Sequence, residues 1–446
     1  MSIRAKLWGI SKMHKLKGAR THLGLAICAV AMGILLAGCG KKQTTQEVRY
    51  DEAGNRLVSL YCFTDFDADR LDIIVKQFNK NASGCRIVMI KPDGNDAYGG
   101  ELTKMIAEGE APDLIYSTYS TRLFKLVEDE LIEDLIPYIE ASDALSTSDL
   151  DDNVVKAYTV GGKLIGLPST IMFDALWTID NFEDKYEAGW TYDDFFDWMR
   201  RADTPGGPLT SKEYVLNHLF PPMFSKCVSE DGKADFINDT FKNLLSEIAK
   251  LNMSTKPLDK KESWQFLTEH ENAECWLGTS VISYDNLYQI SAGRGRELNF
   301  VGYPSFDKKL VAYYDDMTSL SIVSASGVKD DAYAFVQYYI TYMEGVRDQN
   351  LLPQSYIFTY LKNREASIQA AFESVKDDPV ATKIMKYSVE TADNLIKNAV
   401  CKDYKTDEVL EIVREEAMAY LNGEKRLDDV CNVIERRVQL HLDEGK

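Results

Sequence analysis

The chain has 446 residues, with 51 Lys and Arg against 70 Asp and Glu and a formal net charge of −19. That length fits two domains at the usual ~100–200 residues apiece. So large an excess of carboxylates gains neither counterion release from nucleic acid nor attraction from an anionic bilayer, which excludes nucleic-acid binders as a class.

The first 38 residues differ from the rest. Arg4, Lys6, Lys12, Lys15, Lys17 and Arg20 stand without an acidic residue ahead of an apolar run from Leu23 to Leu36. Basic, then apolar, then small residues is the order of a secretory signal, and the apolar run is short for a membrane span. The run ends in Leu36-Ala37-Gly38-Cys39, which resembles the lipobox of bacterial lipoproteins. That resemblance implies that Cys39 is acylated, becomes the first mature residue and anchors the chain on the extracytoplasmic face of the cell membrane. Without the six leader cations the mature chain holds 45 Lys and Arg against 70 acids, a net charge of −25. Residues 39–56 are polar and lack an apolar period, so they are expected to form a flexible tether that reaches about 50 Å when extended.

Leu57–Phe63 is a short apolar run of the kind that forms a buried parallel strand. Leu71, Ile74, Val75 and Phe78 follow at helical spacing, and Ile87–Ile90 closes a β-α-β unit. Leu102, Met105 and Ile106 mark another helix, Pro112 ends it, and Asp113–Tyr116 reads as a third strand. Strands alternating with helices give an open parallel sheet, whose ligand crevice lies beyond the carboxyl ends of the strands. The stretch Val160–Pro168 holds Gly161-Gly162 between two extended pieces and predicts a hairpin; its spacing does not fit a phosphate loop. Thr191 with Asp194 predicts a capping box that opens a helix burying Phe195, Trp198 and Met199. Helical spacing recurs over Phe241–Leu251, Asp331–Tyr342, Val409–Leu421 and Leu427–Val438, and strands are expected at Ser280–Tyr284, Asn299–Pro304 and Ser319–Val323. Cys62, Cys85, Cys227, Cys275, Cys401 and Cys431 have irregular spacings. Disulfides are permitted outside the cytoplasm, but buried free thiols are the preferred reading.

In order along the chain, Gly109–Leu114, Leu131–Leu135, Gly161–Pro168, Gly189–Phe195, Val301–Pro304 and Tyr420–Glu424, following a lipobox, resemble the extracellular solute-binding proteins of ABC importers, the family that includes maltose- and other sugar-binding lipoproteins. The resemblance implies an α/β fold of two lobes in the periplasmic-binding-protein manner, joined by a hinge, with ligand held in the cleft between them. The implied division is a signal peptide over 1–38, a tether over 39–56, a first lobe of 57–172 with 316–370 and a second of 173–315 with 371–446. Crossings between lobes are expected near Ser169–Asp174, Tyr313–Met317 and Leu361–Ser374. Sugar-binding relatives often place a Trp where this chain reads Tyr284-Asp285-Asn286-Leu287-Tyr288.

The function so implied is a lipid-anchored monomeric receptor that captures a small solute, a sugar or oligosaccharide first of all, by hinge closure and delivers it to ABC permease subunits, with no cofactor and no bound metal. A receptor for peptides or other polar metabolites is the alternative on the same fold. A surface glycosidase using paired carboxylates is a further alternative, although no G-x-S-x-G or H-E-x-x-H occurs. Residues at strand ends and crossings that mix stacking faces with acceptors are the candidate ligand contacts. These are Asp65 and Tyr119 from the first lobe, and Asp174, Trp276, Tyr284, Asp285, Tyr314 and Asp315 from the second lobe and the crossings.

Overall fold

The structure, a computed structural model, describes residues 45–63, 68–91, 100–118, 121–179, 189–202, 209–259, 261–262, 265, 276–278, 283–284, 287–289, 292, 299–314, 318–342, 356–403 and 405–444. Cys39 and Cys275 lie outside the described residues. Strand β1 (Arg49–Tyr50) leads into β2 (Arg56–Cys62), α1 (Ala68–Asn81), β3 (Cys85–Ile90), α2 (Gly100–Glu108) and β4 (Leu114–Thr118). After α3 (Asp152–Ala157) come six short strands, β5 (Thr159–Val160), β6 (Lys163–Leu164), β7 (Leu167–Pro168), β8 (Thr170–Ile171), β9 (Phe173–Asp174) and β10 (Trp177–Ile179). Next are α4 (Tyr192–Ala202), α5 (Lys212–Leu219), α6 (Asp239–Lys250), β11 (Trp276–Gly278), β12 (Asn299–Phe300), β13 (Ala312–Tyr314) and β14 (Thr318–Ile322). The last part holds α7 (Lys329–Thr341), β15 (Ile357–Phe358), α8 (Leu361–Val375), α9 (Pro379–Asn398), β16 (Ala399–Val400), α10 (Thr406–Leu421) and α11 (Leu427–Glu444).

The first sheet follows the apolar runs. β2 pairs parallel with β3, Val58 opposite Ile87, and with β4, Tyr61 opposite Ile115. β14 then joins β4 antiparallel, Leu320 opposite Tyr116, and β7 closes the sheet, so it is mixed rather than wholly parallel. Asp113, from the Pro112-Asp113 pair, is 4% exposed and fastens three segments: its carboxylate accepts from the Ser59 amide at 2.8 Å, the Ser59 hydroxyl at 2.7 Å and the Ser326 hydroxyl at 2.7 Å. A buried carboxylate with that many donors fixes the register of the strands it touches.

The expected tether is shorter than its composition suggested. From Gln46 onward the chain is part of the fold: the Gln46 amide donates to Ala325 O at 2.9 Å and its side chain to Ala111 O at 2.8 Å. The Asp51 carboxylate accepts from the Ala53 and Asn55 amides, Gly54 takes φ 82°, and the resulting turn lays β1 against β2. A polar run is a turn here because Asp51 replaces missing backbone partners with its own side chain. The Gly-Gly hairpin forms as expected, β5 against β6, with φ 57° at Gly161 and 83° at Gly162. Two successive positive values suit glycine and the twist of a two-residue hairpin.

Residues 280–282 of the strand expected at Ser280–Tyr284 lie outside the described residues. The paired segment is β11, which runs antiparallel to β10 with Trp177 opposite Gly278, and β12 pairs with the other edge of β10. A Cβ at Gly278 would stand 2.0 Å from the Trp177 ring, so only glycine lets the indole lie there. Ser283 makes a single bridge to Tyr356. The capping box is present: the Thr191 amide donates to Asp194 Oδ2 at 2.9 Å, and the Asp194 amide to Thr191 Oγ1 at 3.1 Å.

Two hydrophobic clusters form the core. One gathers β2, β4, β14, α1 and α7; the other gathers α4, α5, α6, α10 and α11. Met385, Leu395 and Ile396 of α9 bury in the first cluster, whereas Val409 and Val413 of α10 bury in the second. The stretch Leu361–Ser374, expected as a crossing, is therefore the body of helix α8, and the chain passes from one cluster to the other at β16. Cys85, Cys227 and Cys431 are buried as free thiols, and Cys62 is buried in the first cluster. Burial pushes the thiols of Cys227 and Cys431 up to about 12 and about 11.

Candidate functional site

Three passages of chain between the clusters meet in one small sheet. β9 pairs antiparallel with β13, setting Asp174 opposite Tyr313, and β16 pairs parallel with the far edge of β13. A second pair, β8 with β15, runs beside it in sequence. Register ties these passages to the carboxyl ends of the first sheet: β14 starts opposite the end of β4, where the Tyr116 and Thr318 hydroxyls stand 2.7 Å apart. Ligand crevices of open α/β sheets lie at that end.

Asp174 is 8% exposed. Lys402, two residues past β16, brings its Nζ to 3.6 Å from Asp174 Oδ2 and 5.5 Å from the centre of the Tyr313 ring. Asp174 Oδ1 has no hydrogen-bond partner. Burial first, and then the charge of Asp174, push the Tyr313 hydroxyl well above its ordinary range, so it is a neutral donor at physiological pH. Each of the three passages thus contributes one residue to this constellation.

Asp174 and Lys402 open onto a cavity of about 330 Å³. Its far wall is the face of α10 made by Asp407, Leu410, Glu411 and Arg414, whose spacing of three, four and seven residues places them in one stripe. The other stripe of α10, Val409, Val413, Ala417 and Leu421, is buried in the second cluster, which is what turns the charged stripe outward. Asn217 and His218, from the end of α5, and Tyr303 complete the polar lining. His218 Nδ1 lies 2.8 Å from Tyr214 O, and its ring stacks with Tyr303 at 6.3 Å. Tyr303 owes its position to Gly302, which has φ 69° and whose carbonyl accepts from the buried Trp190 indole at 2.8 Å. The guanidinium of Arg414 pairs with Glu411 and stands 3.8 Å from Glu213. Among the described residues no group of three or more His, Cys, Asp or Glu side chains could hold a metal ion.

Of the expected contacts, Asp174 lines this cavity. Tyr284 and Tyr314 do not: Tyr284 is fully buried in the first cluster, and Tyr314 is 7% exposed, tilted on Phe173 at 5.8 Å with its hydroxyl 3.5 Å from Ile396 O. Burial pushes both hydroxyls well up. The backbone of Trp276 lies in β11. Asp65, Tyr119, Asp285 and Asp315 lie outside the described residues. Sequence reasoning passed over Lys402, Asn217, His218 and the α10 stripe. The usable signal was that stripe, a run of charged positions at helical spacing directly after a break between two helices.

Two clusters joined by several strands, with a polar cavity beside the junction, define a two-lobed ligand receptor. The chain belongs to the bacterial extracellular solute-binding proteins, a family that matches it over residues 67–343. Among solved structures, the sugar-binding protein MalE of Xanthomonas citri superimposes with a TM-score of 0.62 at 14% identity, covering 87% of this chain and 98% of that one. A cyclic α-maltosyl-1,6-maltose-binding protein from Arthrobacter globiformis gives 0.57 at 17% identity, covering 88% and 100%. An ABC-transporter solute-binding protein from Thermotoga lettingae, bound to α-D-tagatose, gives 0.56 at 16%, covering 86% and 99%. No curated protein matches the chain significantly.

Proposed function

We propose that the protein is a receptor that captures a carbohydrate between its two lobes and passes it to the permease of an ABC importer. The observation that carries this reading is the meeting of β9, β13 and β16 beside a polar cavity, with one side chain from each passage around Asp174. Ligand gripped there touches the joint itself, so the closed form gains affinity that the open form lacks, and the population shifts by that difference. The names of the structurally similar proteins, one bound to α-D-tagatose, one a sugar-binding protein and one a cyclic α-maltosyl-1,6-maltose-binding protein, support a sugar. The lobes of this reading are 46–172 with 316–398, and 173–315 with 401–446. Cys39 is its lipid anchor on the extracytoplasmic face of the membrane, it acts as a monomer, and it binds without chemical conversion.

Isothermal titration calorimetry of the purified protein against mono- and oligosaccharides tests the reading, together with chromatography of the recovered sugars. Binding of intact sugar by the parent, weakened at least tenfold in Asp174→Ala, is the expected result. Cleaved sugar, or binding to peptides alone, overturns it. Cys39→Ser should move the protein from the membrane to the soluble fraction, and retention at the membrane would refute the anchor.

A further inference from the structure

The chain enters the fold at one end of the first sheet. The Gln46 amide donates to Ala325 O at 2.9 Å, its side-chain amide donates to Ala111 O at 2.8 Å, and Arg49 Nη2 stands 3.6 Å from Asp113 Oδ2. Gly327 leaves room for this entry: a Cβ there would stand 2.4 Å from Gln46 O. β1 then pairs with the first two residues of β2. Ala111 and Asp113 precede β4, and Ala325 follows the antiparallel β14, whose end lies opposite the start of β4. Every fastening is therefore at the amino ends of the parallel strands. The ligand crevice lies beyond their carboxyl ends, and β2, seven residues long, sets the two ends about 20 Å apart at about 3.3 Å per residue.

Cys39 stands seven residues ahead of Gln46, and seven residues of chain reach at most about 25 Å in any conformation. We propose that this short reach holds the free receptor with the amino end of its first sheet against the bilayer and its ligand crevice at the far end; the inference rests on the lipid anchor at Cys39 given above. The chemistry of this end suits lipid headgroups. Residues 39–50 carry Lys41, Lys42 and Arg49 against Glu47 alone, on a mature chain whose net charge is −25. A local excess of cations is drawn to an anionic surface that repels the rest of the molecule. Val48 and Tyr50 are exposed, Tyr50 by 61%, and the Arg49 side chain by 60%. A tyrosine ring and a long basic side chain each join an apolar body to a polar tip, which suits the water–lipid boundary. Because β1 belongs to the first lobe, that lobe is the one held, and hinge closure moves the second lobe against it.

The test is energy transfer from a fluorescent non-natural amino acid to an acceptor lipid, in the full lipidated chain on vesicles of phosphatidylcholine and phosphatidylglycerol. The fluorescent residue replaces Glu52, in the turn between β1 and β2, or Lys91, which follows the carboxyl end of β3; both side chains are exposed, so neither change disturbs the core. Transfer from position 52 should exceed transfer from position 91 at least twofold. A long Gly-Ser insert between Thr45 and Gln46 should bring that ratio toward one. Equal transfer from the two positions of vesicle-bound protein, or a ratio that survives the insert, overturns the inference and leaves the anchor standing. Protein that does not sediment with the vesicles, or that lacks the acyl mass on Cys39, overturns the anchor and the orientation with it.

Discussion

Arg364→Met should destabilise the protein by about 3 kcal/mol. Arg364 and Asp151 are 8% and 7% exposed, with Arg364 Nη1 2.8 Å from Asp151 Oδ2. Arg364 Nε also donates to Phe358 O of β15 at 2.7 Å, and Asp151 caps α3 through the Asn153 and Val154 amides. Removing one partner of a buried pair costs about 3–5 kcal/mol, because a charge is left buried and alone. Two features pull the figure to the lower end of that range. Asp151 keeps its two backbone donors after the change, and Arg364 Nη2, which has no partner in the native protein, is no longer buried at a cost. Loss of the donor to Phe358 O works the other way, at about 1–3 kcal/mol for an orphaned buried acceptor. Urea unfolding followed by far-ultraviolet circular dichroism measures the effect as a fall in midpoint at unchanged slope. Adding Asp151→Asn removes the stranded charge, so the double variant should lose at least 1 kcal/mol less than the sum of the two single changes. A loss under about 1 kcal/mol for Arg364→Met would place the pair with exposed ion pairs and refute the argument from burial.

Gly302→Ala should cost about 2–4 kcal/mol, since φ 69° is strained for any side chain and the new Cβ would stand 2.6 Å from Val311 O; a midpoint within error of the parent would show that the turn relaxes freely. Asp194 supplies a pH test. Burial of its carboxyl works to raise the pKa, but the hydrogen bonds with Thr191 and the nearby Lys308 together hold it below the ordinary carboxylate value. The folded pKa is thus the lower one, so its contribution is full above the unfolded value near 3.8 and is lost as pH falls through the folded value. Asp194→Asn should therefore cost about 1 kcal/mol, as caps do, at pH 7 and at pH 5, and the gap to the parent should close in acid below about pH 4. A gap that is the same at pH 3 and pH 7 would contradict the assignment.

Local chemistry made much of the fold legible. Leu57–Phe63, Ile87–Ile90 and Asp113–Tyr116 are apolar on both faces, which suits strands covered on both sides, and β2, β3 and β4 run parallel accordingly. Gly161-Gly162 and the Thr191/Asp194 box work within four residues of chain, so neighbours in sequence are enough to read them. The joint between the clusters is a different kind of object. β8, β9, β13, β15 and β16 are two or three residues long, too short to show a period, and Asp174 meets Tyr313 and Lys402 from far along the chain. Tyr284 and Tyr314 carry the same side chain as Tyr303 and all three are buried, yet of the three it is Tyr303 that lines the cavity, because the chain packed opposite each ring differs. Lys402 in sequence is one Lys among many. Its role arises from a distance of 3.6 Å to a buried carboxylate, and such distances are set by long-range packing rather than by the local backbone.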